Sequence, residues 1–78
     1  MAKNVVVYST PSCPYCNMAK EYFKENDIDF TDYDVSKNRE KAKEMINKSG
    51  QQGVPVIDID GEIIVGFDKG KIKNLLDL

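Results

Sequence analysis

The chain has 78 residues, 13 of them acidic and 11 basic, for a formal net charge of -2. That is room for one small domain, 1–78, and it supplies no electrostatic reason to expect nucleic acid or an anionic membrane as partner. No apolar run approaches the roughly 18 residues of a membrane-spanning helix, and Val5-Val6-Val7-Tyr8 is too short for a secretory leader. The expectation is therefore a cytoplasmic monomer. Disulfides do not usually persist in that compartment, so a cysteine pair there points to metal or redox chemistry.

Residues 4–8 are β-branched and continuous, which predicts a strand buried on both faces. Ser9-Thr10-Pro11-Ser12 breaks it. A helix follows, with Pro14 at its first position, where a missing N–H costs nothing. Cys16, Ala19 and Phe23 recur at helical spacing, as do Tyr15, Met18 and Tyr22. Asn26-Asp27 ends the helix.

Ile28 to Val35 reads as a second strand, half polar and so at a sheet edge, with a slip of phase between Phe30 and Tyr33. Ser36 or Asn38 caps a second helix, Ala42, Met45 and Ile46 mark its buried face, and Gly50 terminates it. The series Lys37, Arg39, Lys41, Lys43 and Lys48 reads as a solvated face of that helix.

Val56-Ile57-Asp58-Ile59 and Glu62-Ile63-Ile64-Val65 flank Asp60-Gly61, a strong hairpin signal, because a type I′ turn needs positive φ at both central residues. Gly66-Phe67-Asp68 leads into a last helix, capped by Asp68 and packed through Ile72, Leu75 and Leu76. The order is β-α-β-α-β-β-α. An α/β fold with a central four-stranded mixed sheet and three flanking helices follows, its first βαβ unit parallel and right-handed.

The two cysteines stand in Cys13-Pro14-Tyr15-Cys16, after a buried strand and at a helix start. A structural staple is a poor reason for them, since closing so short a loop is worth only about 2 kcal/mol. Zinc needs four ligands, and the chain has no histidine to complete the set. A cluster shared between two chains reaches four thiolates and stays open as an alternative. At this position within a βαβ unit the motif reads first as a thioredoxin-like redox centre.

The match goes further. Cys13-Pro14-Tyr15-Cys16, Val54-Pro55 and Gly66-Phe67-Asp68, in this order and spacing over nearly the whole chain, resemble the dithiol glutaredoxins, short bacterial members in particular. The resemblance implies a minimal thioredoxin fold and thiol–disulfide oxidoreductase activity. It implies glutathione as co-substrate, disulfide-containing proteins as further partners, and no tightly bound cofactor. It also implies a cis Val54-Pro55 bond, leaving the Val54 backbone free to pair with a substrate strand.

For glutathione itself, the resemblance assigns the γ-glutamyl end to Gly66, Phe67 and Asp68, and the glycyl carboxylate to Gln51 and Gln52. Tyr15 becomes a substrate contact. Three positions depart from the pattern. Thr10 stands where many members carry Lys, Gly53 where the family usually has Thr, and Lys69 where an acidic or polar residue often follows Asp68. These departures resemble the glutaredoxin-like donors of ribonucleotide reductase, some of which are reduced by thioredoxin reductase.

The chemistry then divides between the thiols. Cys13 at the helix start faces the free N–H groups of Tyr15 and Cys16, where the helix dipole favours a thiolate, and Lys20 adds to the field. Cys16 lies one turn deeper on the apolar side. The expectation is Cys13 as nucleophile and Cys16 as resolving thiol.

Overall fold

The computed structural model describes residues 4–76. Seven elements follow in the expected order: β1 (Val5–Ser9), α1 (Pro14–Glu25), β2 (Thr31–Asp34), α2 (Arg39–Ser49), β3 (Val56–Ile59), β4 (Glu62–Val65) and α3 (Lys69–Leu76). The sheet order is β2-β1-β3-β4. β1 pairs parallel with β2 and antiparallel with β3, and β3 pairs antiparallel with β4. The continuous apolar strand is thus central, and half-polar β2 forms an edge.

Side chains alternate between two faces. On one, Val5, Val7, Ile57, Ile59 and Ile64 pack with Ala19 and Phe23 of α1 and Ile72 of α3. On the other, Tyr8 and Val56 pack with Met45 of α2. Local signals set the boundaries. Asn38, not Ser36, caps α2, its side chain accepting from the Lys41 N–H, while Ser36 turns back onto Asp34. Gly50 closes the helix in the left-handed region at φ 74. Asp60 and Gly61 take φ 52 and 93, as the tight hairpin requires.

Two readings need correction. Ile28, Asp29 and Phe30 are not strand: Ile28 and Phe30 lie half-buried against the α1-side core, and pairing with β1 begins near Thr31. This is the physical origin of the phase slip, because these side chains obey core packing rather than the ladder. The second helical series of α1 divides: Tyr22 packs against the core, while Tyr15 and Met18 are 61% and 48% exposed. In α3, fully buried Ile72 and half-buried Leu75 and Leu76 pack against the core as expected. The basic series of α2, however, is not wholly solvated. Lys41 sits over the Tyr33 ring at 4.3 Å, and Lys48 reaches Asp58 at 2.8 Å and the Tyr8 hydroxyl at 3.0 Å. Long alkyl stems let these lysines cover aromatic surface while their heads pair.

Candidate active site

Three segments meet at one end of the sheet. β1 ends at Ser9, and the Thr10 carbonyl accepts the Cys13 N–H at 3.3 Å, closing a turn that delivers Cys13 to the start of α1. Pro14 occupies the first turn of the helix, and Cys13 is its N-cap in extended conformation. The Cys16 N–H donates to Cys13 Sγ at 3.2 Å. A sulfur so placed serves as the capping acceptor, and the positive end of α1 favours its anion. Cys13 Sγ also lies 3.8 Å from the Val54 carbonyl, to which its S–H donates.

The Val54-Pro55 bond is cis, as the resemblance implied. Pro55 is buried and its carbonyl accepts the Gly66 N–H at 2.8 Å, so the loop after β4 is tied to the proline loop. Gly66 has φ 81, a conformation that favours glycine. Cys13, Val54-Pro55 and Gly66 therefore form one connected group.

The remaining expected residues are placed unequally. Phe67 is half-buried and meets Tyr22 edge-on, ring centres 5.8 Å apart. Asp68 caps α3, accepting the Lys71 N–H at 3.2 Å. Lys69, the departure from the pattern, lies over the Tyr22 ring at 5.1 Å. Together Met18, Glu21, Tyr22, Glu25, Phe67 and Lys69 line a shallow groove of about 180 Å³. Tyr15 stands exposed beside the thiols. Gln51 folds back onto the Gly53 carbonyl at 3.4 Å, whereas Gln52 is exposed in the same loop.

The two thiols are free and differ in environment: Cys13 is half-buried and Cys16 is inaccessible. Burial, and next the hydrogen-bonding proximity of Cys13, push the Cys16 thiol up to about 12. The Thr10 backbone and the Lys20 charge act the other way. Sequence reasoning placed Lys20 near this field but missed that it is paired: its Nζ lies 3.1 Å from Asp32 Oδ2. It also missed Ser9, whose hydroxyl donates to Asp32 Oδ1 at 2.6 Å. Alternation along β1 and β2 was the available signal, since it puts Ser9 and Asp32 on the α1 side. Among the described residues no group of three or more His, Cys, Asp or Glu converges as a metal-binding set.

A reduced thiol pair split between a helix cap and the core, on a sheet of this topology, defines a redox protein of the thioredoxin-like class. The thioredoxin-like protein BC3987 superposes with a TM-score of 0.88 at 32% identity, covering 94% of this chain and all of that one. The glutaredoxin family model matches residues 5–64, and the chain belongs to that family of thiol–disulfide oxidoreductases. It is 49% identical over 73 residues to a glutaredoxin-like 8.6 kDa protein of a Clostridium pasteurianum rubredoxin operon, covering 94% of this chain and 97% of that protein. It is 38% identical over 65 residues to glutaredoxin 3 of Escherichia coli K12, covering 83% of this chain and 78% of the relative.

Proposed function

We propose that the protein reduces protein disulfides and glutathione mixed disulfides, with Cys13 as nucleophile, Cys16 as resolving thiol and glutathione as the reductant. The observation that carries this reading is the unequal pair: a half-buried sulfur capped by an N–H at 3.2 Å above a fully buried one. Cys13 thiolate attacks a substrate disulfide, forming a mixed disulfide and releasing one thiolate. Cys16 then attacks Cys13, forming the intramolecular disulfide and releasing the reduced substrate. Two glutathiones return the pair to dithiols and leave as oxidised glutathione, so electrons balance. With a glutathionylated substrate, Cys13 accepts the glutathionyl group and a second glutathione removes it.

The order of events has a physical basis. Burial is the largest influence opposing ionisation of Cys16, and two further ones come from Cys13 itself. Once the Cys13 sulfur is bonded to substrate, it carries no charge, and that opposition falls. Resolution is thereby favoured after capture rather than before it. The Val54 carbonyl beside Cys13 suits a substrate strand that pairs with the Val54 backbone. Thr10, Pro14 and Tyr15 border the thiols. Gly66, Phe67 and Asp68 would receive the γ-glutamyl end, and Gln51 and Gln52 the glycyl carboxylate.

A second reading has its own support. Lys69 lies on Tyr22 beside Phe67, a cation next to the surface assigned to the γ-glutamyl group. A cation there opposes the γ-glutamyl ammonium and so weakens the case for glutathione; the alternative is a donor to ribonucleotide reductase that is itself reduced by thioredoxin reductase. The deciding experiment is turnover of a glutathionylated peptide and a protein disulfide with each reductant. The first reading expects glutathione to sustain turnover, Cys13→Ser to abolish it, and Cys16→Ser to keep part of the mixed-disulfide activity. Failure with glutathione and rapid turnover with thioredoxin reductase selects the second.

A further inference from the structure

Beside α1 and the edge strand β2 runs a groove of about 560 Å³ lined by Asn17, Lys20, Glu21, Lys24, Phe30 and Asp32. Its walls are more than a solvated surface. Ser9 is only 2% exposed, and its hydroxyl bonds one oxygen of Asp32 at 2.6 Å. The other oxygen takes the Lys20 ammonium at 3.1 Å. The Lys20 side chain is the less exposed partner, 22% against 37% for Asp32, so its stem is largely covered while its ammonium is held by the carboxylate. Lys20 follows Cys16 by four residues in α1, which puts both on one side of the helix, a turn apart.

A buried thiol that must become an anion needs something to offset its lost hydration. The chain has no histidine to take the proton. The charged and titratable groups around Lys20 and Cys16 are Cys13, Glu21 and Lys24 on α1, and Asp32 and Asp34 on β2. Lys20 is held in place beside Cys16 by its ion pair with Asp32.

We propose that Lys20, held by Asp32 and Ser9, stabilises the Cys16 thiolate during the resolving step and so sets the rate of that step. Asp32 and Ser9 are positioning residues that act through Lys20. The inference rests on the reading of Cys16 as the resolving thiol. In the step, Cys16 loses its proton, which ends on the departing substrate thiolate, and its sulfur attacks Cys13 Sγ. The Cys13–substrate S–S bond breaks, the Cys13–Cys16 bond forms, and the electron pair leaves with the substrate thiolate. The direction of the Lys20 influence on Cys16 agrees with this role.

The test uses the reduced full chain and 5,5′-dithiobis(2-nitrobenzoate), an aromatic disulfide, in stopped flow. A first aryl thiolate is released on capture by Cys13 and a second on resolution by Cys16. Part of any loss of thiolate is offset by the greater nucleophilicity of the more basic sulfur, so Lys20→Gln is expected to slow the second phase by up to about threefold. Its pH profile should move to higher pH while the first phase stays nearly unchanged. Lys20→Arg should restore both rate and profile. Ser9→Ala keeps the charges and loosens their hold, and it should slow the second phase alone, by less than Lys20→Gln. An unaltered second phase in Lys20→Gln, or equal slowing of both phases, overturns the proposal. Cys16→Ser separates the two levels of inference. If it retains the second phase, the resolving role itself is wrong, whatever Lys20 does.

Discussion

Beneath α1 and α3 the sheet presents Val5, Val7, Ile57, Ile59 and Ile64 to Ala19, Phe23 and Ile72, an apolar layer with almost no access to water. Beneath α2 it presents Tyr8, Val56 and Asp58, and the cover there is partly ionic. The Tyr8 hydroxyl donates to Glu44 at 2.7 Å and accepts from Lys48, which also pairs with Asp58. Asp58 spends its second oxygen on the Gly61 N–H in the hairpin turn. Both layers satisfy their groups, since no buried side-chain polar atom among the described residues lacks a partner. Their consequences differ. Cys16 is fully buried on the same face of α1 as Ala19 and Phe23, and that burial opposes its ionisation, so the thiol chemistry depends on how well this side excludes water. The polar layer stands on the opposite face and holds α2 and the hairpin in register; its Tyr8, Glu44, Lys48 and Asp58 side chains bond neither sulfur, and it nears the thiols through Val54, which packs on it.

The contrast is broken most severely at the dry layer. Phe23 is fully buried and packs on Phe30 at a ring-centre distance of 5.6 Å. Phe23→Ala is expected to cost about 3–5 kcal/mol, a large part of the stability of so small a domain. Urea denaturation checks it, and a loss below about 1 kcal/mol would deny this layer its dominance. Next in size is Lys48→Met, which strips the cation from Asp58 while keeping the alkyl stem. Because the Lys48 side chain is 36% exposed, the expected loss is about 1 kcal/mol. Tyr8→Phe is expected to cost a similar or smaller amount, since Glu44 and Lys48 can turn to water. In either variant the capture and resolution rates at the thiols should stay as they were. A changed resolution rate would mean that the two faces are coupled.

Dependence on pH sharpens the same comparison. Cys16 is held well above neutrality, so its thiolate is scarce, and the resolving phase should accelerate as pH rises from 6 towards 9. On the polar face the shifts act on stability instead. Glu44 is lowered by its bonds to Tyr8 and then Lys41; Asp34, on the α1 side of edge strand β2, is lowered likewise by the Ser36 hydroxyl. A lowered carboxyl contributes stability above its unfolded value, near pH 4, and loses it as pH falls through the folded value. Lys48 is raised, first by Asp58 and then by Tyr8. Its contribution is complete below the unfolded lysine value, roughly 10.4, and fades as pH climbs through the higher folded one. The urea midpoint should therefore hold steady through the neutral range and decline at both extremes. A midpoint that rises on acidification below pH 4 would contradict the assignment. The smallest expected effect is that of salt: about 1 M NaCl should reduce the cost of Lys48→Met and leave that of Phe23→Ala unchanged.

Much of this was legible along the chain because the signals are local. A β-branched run makes a strand, proline starts a helix and glycine ends one, and Asp60-Gly61 needs only its own backbone to turn. The Cys13 cap is equally local, fixed by the first turn of α1. The edge position of β2 followed from its polar half, though its true start did not, because Ile28 and Phe30 answer to a core assembled from distant segments. The α2 lysines were misread for a related reason. A charge pattern on one helix cannot reveal that Tyr8 and Asp58, forty and ten residues away, wait beneath it.

What the sequence determined by itself is the thiol pair, its place at a helix start, and the element order that makes the fold. What only the tertiary structure decided is how the pair is divided and supplied. Cys16 is buried on the core side of α1, Val54 is brought beside Cys13, Gly66 is tied to Pro55, and Lys20 is fastened through Asp32 to Ser9. Those are contacts between residues far apart in the chain. Burial and through-space charge, the quantities that set thiol reactivity, exist only once the sheet has brought such residues together.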